Sequence, residues 1–158
     1  MDTDTNGDSG GRGIAFGATV HSFAEEYASG DPVTPSNADE EAVKRVIDGL
    51  DGTVTVEEDT VLPLEVAGDE ITLSGVADLV HVTETEVEVI DWKTDQTRRA
   101  HEEYRKQLSV YYYVFDEVYP EREVRPIVFY TAEGASVEIE PLSLAEFKSV
   151  VEEYRAVE

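Results

Sequence analysis

Apolar positions recur along the chain at two periods. Residues 14–29, IAFGATVHSFAEEYAS, predict a helix, because Phe16, Val20, Phe23, Ala24 and Tyr27 fall at i, i+4, i+7, i+8 and i+11. His21 flanks that stripe. Residues 38–50 predict a second helix, entered through Asn37 with Glu40 three later and closed by Asp51-Gly52. Strand-like runs follow at 53–57, 61–66, 71–80 and 86–93, the first of them short and the second carrying Pro63, which places it at a sheet edge. The turn Ala67-Gly68-Asp69 and a short polar link join the last three into an antiparallel meander. Residues 100–118 give the clearest helix, with a stripe of Tyr104, Leu108, Tyr111, Phe115 and Val118, stopped by Pro120. Strands at 125–130 and 136–140 come next. A last helix follows, capped by Ser143 and Glu146, with Leu144, Phe147, Val151 and Tyr154 as its buried face. The expected order is α, α, β, β, β, β, α, β, β, α, in one domain over residues 13–158. Residues 1–12, rich in Gly, Asp and Thr, are expected to be disordered.

One strand ends in chemistry. In an extended strand, residues two apart share a face. Val87, Val89, Asp91 and Lys93 therefore point one way, and Glu88, Ile90 and Trp92 the other. An acid and an amine at the end of a core-facing row are costly to desolvate unless they hold something, such as a metal or a phosphate. The neighbouring strand delivers a second carboxylate, Asp78. Two carboxylates from adjacent strands can share a hard cation such as Mg²⁺ or Mn²⁺, with a lysine beside them to orient water or stabilise phosphoryl charge. A structural Asp–Lys pair at a strand end is the alternative reading. Trp92, on the opposite face, is expected to pack; His81 and His101 are read as ordinary histidines, and Tyr104, Tyr111 and Phe115 as core. Gln107 stands out as a polar residue beside an aromatic stripe.

Charge changes this picture in two ways. The 158 residues include 36 acidic and 12 basic ones, a net charge of −24. Lysine is scarce, at Lys44, Lys93, Lys106 and Lys148 only, so the composition resembles that of halophilic proteins, whose acidic surfaces are screened by salt. Against that background Lys93, Arg98, Arg99, Arg105 and Lys106 crowd beside the candidate site, with Asp95, Glu102 and Glu103 between them. A phosphate-facing patch is one reading of this cluster, and helix-surface pairing such as Glu102 with Lys106 is the other. The absence of cysteine excludes disulfides, thiolate zinc sites and iron–sulfur clusters. No run is long and apolar enough for a membrane span, the N-terminus lacks signal-peptide character, and no ATP-binding G-x-x-x-x-G-K-[ST] loop occurs. A cytoplasmic location is expected.

Four motifs in order give the chemistry a context. GATVHSFAE with His21, LSGVADLV with Gly75 and Asp78, VIDWKT with Asp91 and Lys93, and QLSVY with Gln107 and Tyr111 together resemble the PD-(D/E)XK nuclease superfamily, and within it the RecB-like exonuclease branch. The resemblance implies a restriction-endonuclease-like α/β core of αβββαβ order, a central mixed sheet of about four to six strands flanked by helices. It implies Asp78, Asp91 and Lys93 as catalytic residues. His21, Asp78, Asp91 and the carbonyl of Trp92 become metal ligands for Mg²⁺ or Mn²⁺. Gln107 and Tyr111 contact DNA or brace the catalytic strand, and Arg98, Arg99 and Arg105 join them in binding substrate. Glu65 matches an additional upstream acid seen in some members. The first acidic motif reads Ala77-Asp78 where the family pattern has Pro-Asp.

The expected activity is metal-dependent hydrolysis of DNA phosphodiesters, more exonuclease than endonuclease, in repair or recombination. The branch commonly fuses this domain to a helicase, and any motor would come from elsewhere. A catalytically silent nuclease fold that binds DNA or a helicase partner is the alternative, and a generic acidic halophilic interaction domain is a third reading.

Overall fold

The computed structural model describes residues 13–157, with side chains described as far as Glu153. The segment 1–12 and the side chain of Tyr154 lie outside the described residues. Among the described residues the order is α1 (Ile14–Ala28), α2 (Ala38–Asp48), β1 (Thr53–Val66), β2 (Asp69–Val82), β3 (Glu86–Lys93), α3 (His101–Val118), β4 (Glu123–Tyr130), β5 (Ala135–Glu138) and α4 (Leu144–Val157). The strands form one mixed sheet in the order β1-β2-β3-β4-β5. β3 and β4 are parallel and the other neighbours antiparallel. A parallel pair needs a crossover, and α3 supplies it. This is a restriction-endonuclease-like α/β fold.

The alternation read from the sequence sorts the core into two faces. Val87 and Val89 pack with Val80, Val128 and Tyr130 under α3, whose Leu108, Tyr111 and Phe115 point down at them. Leu79, Ile90, Trp92, Ile127 and Phe129 form the other face, covered by Val20, Phe23 and Ala24 of α1 and Ala42 and Val43 of α2. The outer half of the β1–β2 hairpin has its own cluster, where Leu62, Leu64 and Val66 meet Phe147 and Val151 of α4. Burying such side chains contributes about 1.5–3 kcal/mol each, which is why the helices dock where the stripes lie.

Helix ends follow the expected chemistry. The Asn37 side chain accepts from the Glu40 N–H at 2.8 Å. Ser143 and Glu146 form a reciprocal box, with the Glu146 N–H donating to Ser143 Oγ at 3.2 Å and the Ser143 N–H donating to Glu146 Oε1 at 3.0 Å. At the hairpin tip Ala67 and Gly68 both have left-handed backbone, φ 54° and 86°, as a tight two-residue connection requires.

Three expectations change. Residues 53–57 and 61–66 are not two strands but one 14-residue edge strand, β1, so there are nine elements and not ten among the described residues. The acidic stretch Glu57-Glu58-Asp59 hid the continuity, because an edge strand facing water tolerates a polar run. Pro63 does sit on this edge, opposite Thr72. Helix α2 ends at Asp48, with Gly49 as its cap, ahead of Asp51-Gly52. Val118 and Leu144, counted among buried stripes, are 59% and 46% exposed, because each lies at the end of its helix.

Candidate active site

The site forms where two strands part. β2 and β3 pair up to Leu79↔Ile90. The next rung would set Asp78 against Asp91, but the ladder stops there. In place of a backbone carbonyl, Asp78 Oδ2 accepts the Trp92 N–H at 3.0 Å. The same oxygen lies 3.1 Å from His21 Nε2, which α1 brings down from above. The β1–β2 ladder also skips a rung at this level. Pairs run Val56↔Leu79 and then Glu58↔Ala77, so Glu57 lies level with Asp78, unpaired, in the left-handed region at φ 52°.

Asp91 is the more constrained acid. It is 2% exposed. Its Oδ2 lies 2.7 Å from Lys93 Nζ, yet the pair lacks hydrogen-bond geometry and that oxygen has no hydrogen-bond partner. A buried carboxylate oxygen with unspent lone pairs is expensive. Burial, then the charge of Asp78, pushes Asp91 up to about 7, with Lys93 pulling the other way. Burial also pushes Asp78 upward, but the hydrogen bond and charge of His21 and the Trp92 N–H outweigh it and hold Asp78 below its ordinary range. His21 is raised to about 9, chiefly by its hydrogen bond to Asp78.

Helix α3 connects the two strands. Lys93 Nζ donates to Gln107 Oε1 at 3.2 Å, Gln107 Nε2 donates to the Tyr111 hydroxyl at 3.1 Å, and that hydroxyl donates to the Val76 carbonyl at 2.9 Å. The chain of bonds runs from the strand bearing Asp91 to the strand bearing Asp78. Gly75 makes room for it: a Cβ there would stand 3.2 Å from Tyr111 Cε1 and 3.5 Å from Thr60 Oγ1.

The donor set suits a hard divalent ion. Imidazole nitrogen and carboxylate oxygens bind Mg²⁺ or Mn²⁺. The His21 ring is already oriented, since Nδ1 lies 2.8 Å from the Gly17 carbonyl, which can only accept; in the neutral ring this leaves Nε2 free as a ligand. Asp91 Oδ2 is the orphaned atom such an ion would satisfy. Among the described residues no three His, Asp or Glu side chains form a ready-made cation cage. Two internal cations take up the acids in its place, His21 on Asp78 and Lys93 on Asp91.

The structure thus gathers His21, Asp78, Asp91, Lys93, Gln107 and Tyr111, together with the backbone of Trp92. The Trp92 ring is buried on the opposite face, edge-on to Phe129 at 5.6 Å. Glu65 is not brought in. It pairs with Glu70 near the hairpin tip, eight residues along β1 from Glu57, or roughly 26 Å. The arginines are mostly spoken for: Arg98 grips Glu133 at 2.7 and 3.1 Å, and Arg105 donates to the Glu140 carbonyl at 2.7 Å and lies 3.5 Å from Glu102. Lys106 pairs with Glu103 at 3.1 Å, not with Glu102. Arg99 is exposed. His81 and His101 are accounted for by Glu88 and the Gly52 N–H, and by the Tyr130 hydroxyl. Sequence reasoning passed over Glu57, whose level beside Asp78 only the register reveals, and Asp95, a carboxylate 6% exposed just past β3.

The family model of the PD-(D/E)XK nuclease superfamily matches residues 24–157. The chain belongs to this superfamily. The match starts after His21, so that residue's place rests on its contact with Asp78. The crystal structure of SSO0001 is similar in fold, with a TM-score of 0.53 over 93% of this chain and 88% of that one, at 16% identity. No curated protein matches. The superfamily is one of nucleases that typically use divalent metals. No helix among the described residues is long and apolar enough to cross a membrane.

Proposed function

We propose that this chain is a Mg²⁺- or Mn²⁺-dependent deoxyribonuclease of the RecB-like branch, hydrolysing phosphodiester bonds from DNA ends more than internally. The observation that carries the reading is the bond chain Lys93–Gln107–Tyr111–Val76, which ties the D-x-K strand to the strand of Asp78 through the two residues of the Q-x-x-x-Y motif. His21, Asp78, Asp91 and the carbonyl of Trp92 would hold the ion. Bound there, a divalent cation lowers the pKa of water and neutralises charge on the phosphoryl group. The residues supply the rest. Lys93, held by Asp91 and Gln107, presents its ammonium to the attacking water and to charge developing on phosphorus. The Trp92 N–H donates to Asp78 Oδ2, so that oxygen stays placed before substrate arrives. Arg98 and Arg99, just before α3, and Arg105, within it, would meet the DNA backbone. A helicase, as partner or parent chain, and a role in repair or recombination accompany the RecB-like reading.

The test is cleavage of linear and circular DNA with Mg²⁺ or Mn²⁺, wild type against Asp91→Asn and Lys93→Ala. Each variant should lose at least roughly a hundredfold in kcat, and linear DNA should be the better substrate. Equal activity in the variants sinks the assignment. Binding of DNA without cleavage by the wild type would favour a silent nuclease fold.

A further inference from the structure

Lys93 has a third neighbour besides Asp91 and Gln107. Its Nζ lies over the Tyr104 ring, 4.3 Å from the centroid. Tyr104 comes three residues before Gln107 on α3, so both side chains leave the helix on one side. The ring is anchored at its far end. The Tyr104 hydroxyl donates to Asp95 Oδ2, a short bond to a carboxylate that is itself buried. Tyr130 leans on the ring at 6.5 Å. Asp95 is two residues past Lys93, so the lysine, the loop after its strand and the helix close a small circuit.

The circuit answers a mechanical problem. A lysine ends in a compact charge on a flexible four-carbon stem and does not hold one direction unaided. Gln107 accepts from the ammonium at 3.2 Å, and the Asp91 carboxylate attracts it from 2.7 Å. An aromatic face attracts the cation and donates nothing to it. The ring therefore walls off one side and leaves the remaining N–H direction open.

We propose that Tyr104, anchored by Asp95, is a positioning residue that holds the Lys93 ammonium against Asp91 and turned toward the scissile phosphate. The proposal deepens the nuclease reading and rests on it for its catalytic half, while the contact itself can be read without turnover.

The experiment uses the full chain in two arms. With lysine side chains labelled by ¹⁵N, the Lys93 ammonium resonance is identified by its loss in Lys93→Arg. It should be shifted upfield in the wild type by the ring current, keep most of that shift in Tyr104→Phe and in Asp95→Ala, each of which removes the anchor but leaves the ring, and lose it in Tyr104→Leu. In cleavage assays Tyr104→Leu should lower kcat by roughly ten- to a hundredfold with KM little changed, since misplacement and not binding is at fault. Tyr104→Phe should recover most of that loss. The proposal is overturned if Tyr104→Leu leaves the resonance or kcat at the wild-type value, or if Tyr104→Phe fails as badly as Tyr104→Leu. A wild type that cleaves nothing ends the nuclease reading, and the resonance then decides the contact alone.

Discussion

Asp91 concentrates the cost of the site: a buried acid with one oxygen lacking any hydrogen bond, beside a second acid. That cost can be read through pH. In the metal-free fold Asp91 is raised from 3.8 to about 7 and His21 from 6.5 to about 9. Both hold protons more tightly folded than unfolded. The Asp91 contribution to stability is complete below 3.8 and gone above about 7; that of His21 is complete below 6.5 and lost as pH passes about 9. Asp78, lowered, acts oppositely, but only on the acid side. From pH 6.5 to 9 the metal-free chain should therefore lose stability as pH rises. A divalent ion wants an ionised Asp91 and a neutral His21, so its stabilising effect should grow over the same window. Thermal unfolding in EDTA and in excess Mg²⁺ checks this, with a gap expected to widen by a few °C. A gap that stays flat or narrows would show that the ion does not compete with these protons. At this scale the acids, His21, Lys93, Gln107 and Tyr111 were legible because motif chemistry names them. Asp95 and Glu57 were not, because their meaning depends on a hydrogen bond and on a rung of the sheet.

At the scale of elements, the meeting of β2 and α3 is what sets the site, and Gly75 is its tightest point. A strand interior is a poor place for glycine by propensity. Here the absent side chain is the space in which the Tyr111 ring lies. Gly75→Ala requires Tyr111 to give by a few tenths of an ångström. Gly75→Val requires more, and overpacking of this kind costs about 1–3 kcal/mol. The Val variant should also lose more activity than its stability explains, because displacing the Tyr111 hydroxyl from Val76 loosens Gln107 and, through it, Lys93. Melting temperature and kcat measured together test the point; a Val variant with both at wild-type values would mean that this packing does not transmit to the lysine. The Gly75, Asp78 spacing was visible in the sequence, but its reason was not, since the partner ring comes from α3, 36 positions on. The order of elements was readable wherever a face is buried. It broke down at β1, whose solvent-facing edge carries no apolar alternation through residues 57–59.

At the scale of the molecule, a net charge of −24 opposes a polyanionic substrate, and the local basic cluster does less to offset it than its sequence suggests. Five basic residues between positions 93 and 106 looked like a phosphate-facing patch, because the nearby acids number only three. The fold supplies further acceptors from afar. Glu133 and the Glu140 carbonyl each come 35 positions along to take Arg98 and Arg105, and neither could be matched to them by spacing alone. Exposed pairs of this kind contribute little to stability, but they occupy the guanidinium groups a phosphate would need. Few basic groups are then left to displace counterions from the DNA. The logarithm of the binding constant should fall against the logarithm of salt concentration with a slope of about −2, as for roughly two neutralised phosphates. Fluorescence anisotropy of a labelled duplex with the Asp91→Asn variant, over a range of KCl, measures the slope. Glu133→Gln should free Arg98 and steepen it by about one unit, whereas Arg99→Ala should flatten it by a similar amount. A wild-type slope as steep as about −5 would mean that the pairs around α3 open to receive DNA, and that the patch acts as its sequence suggests.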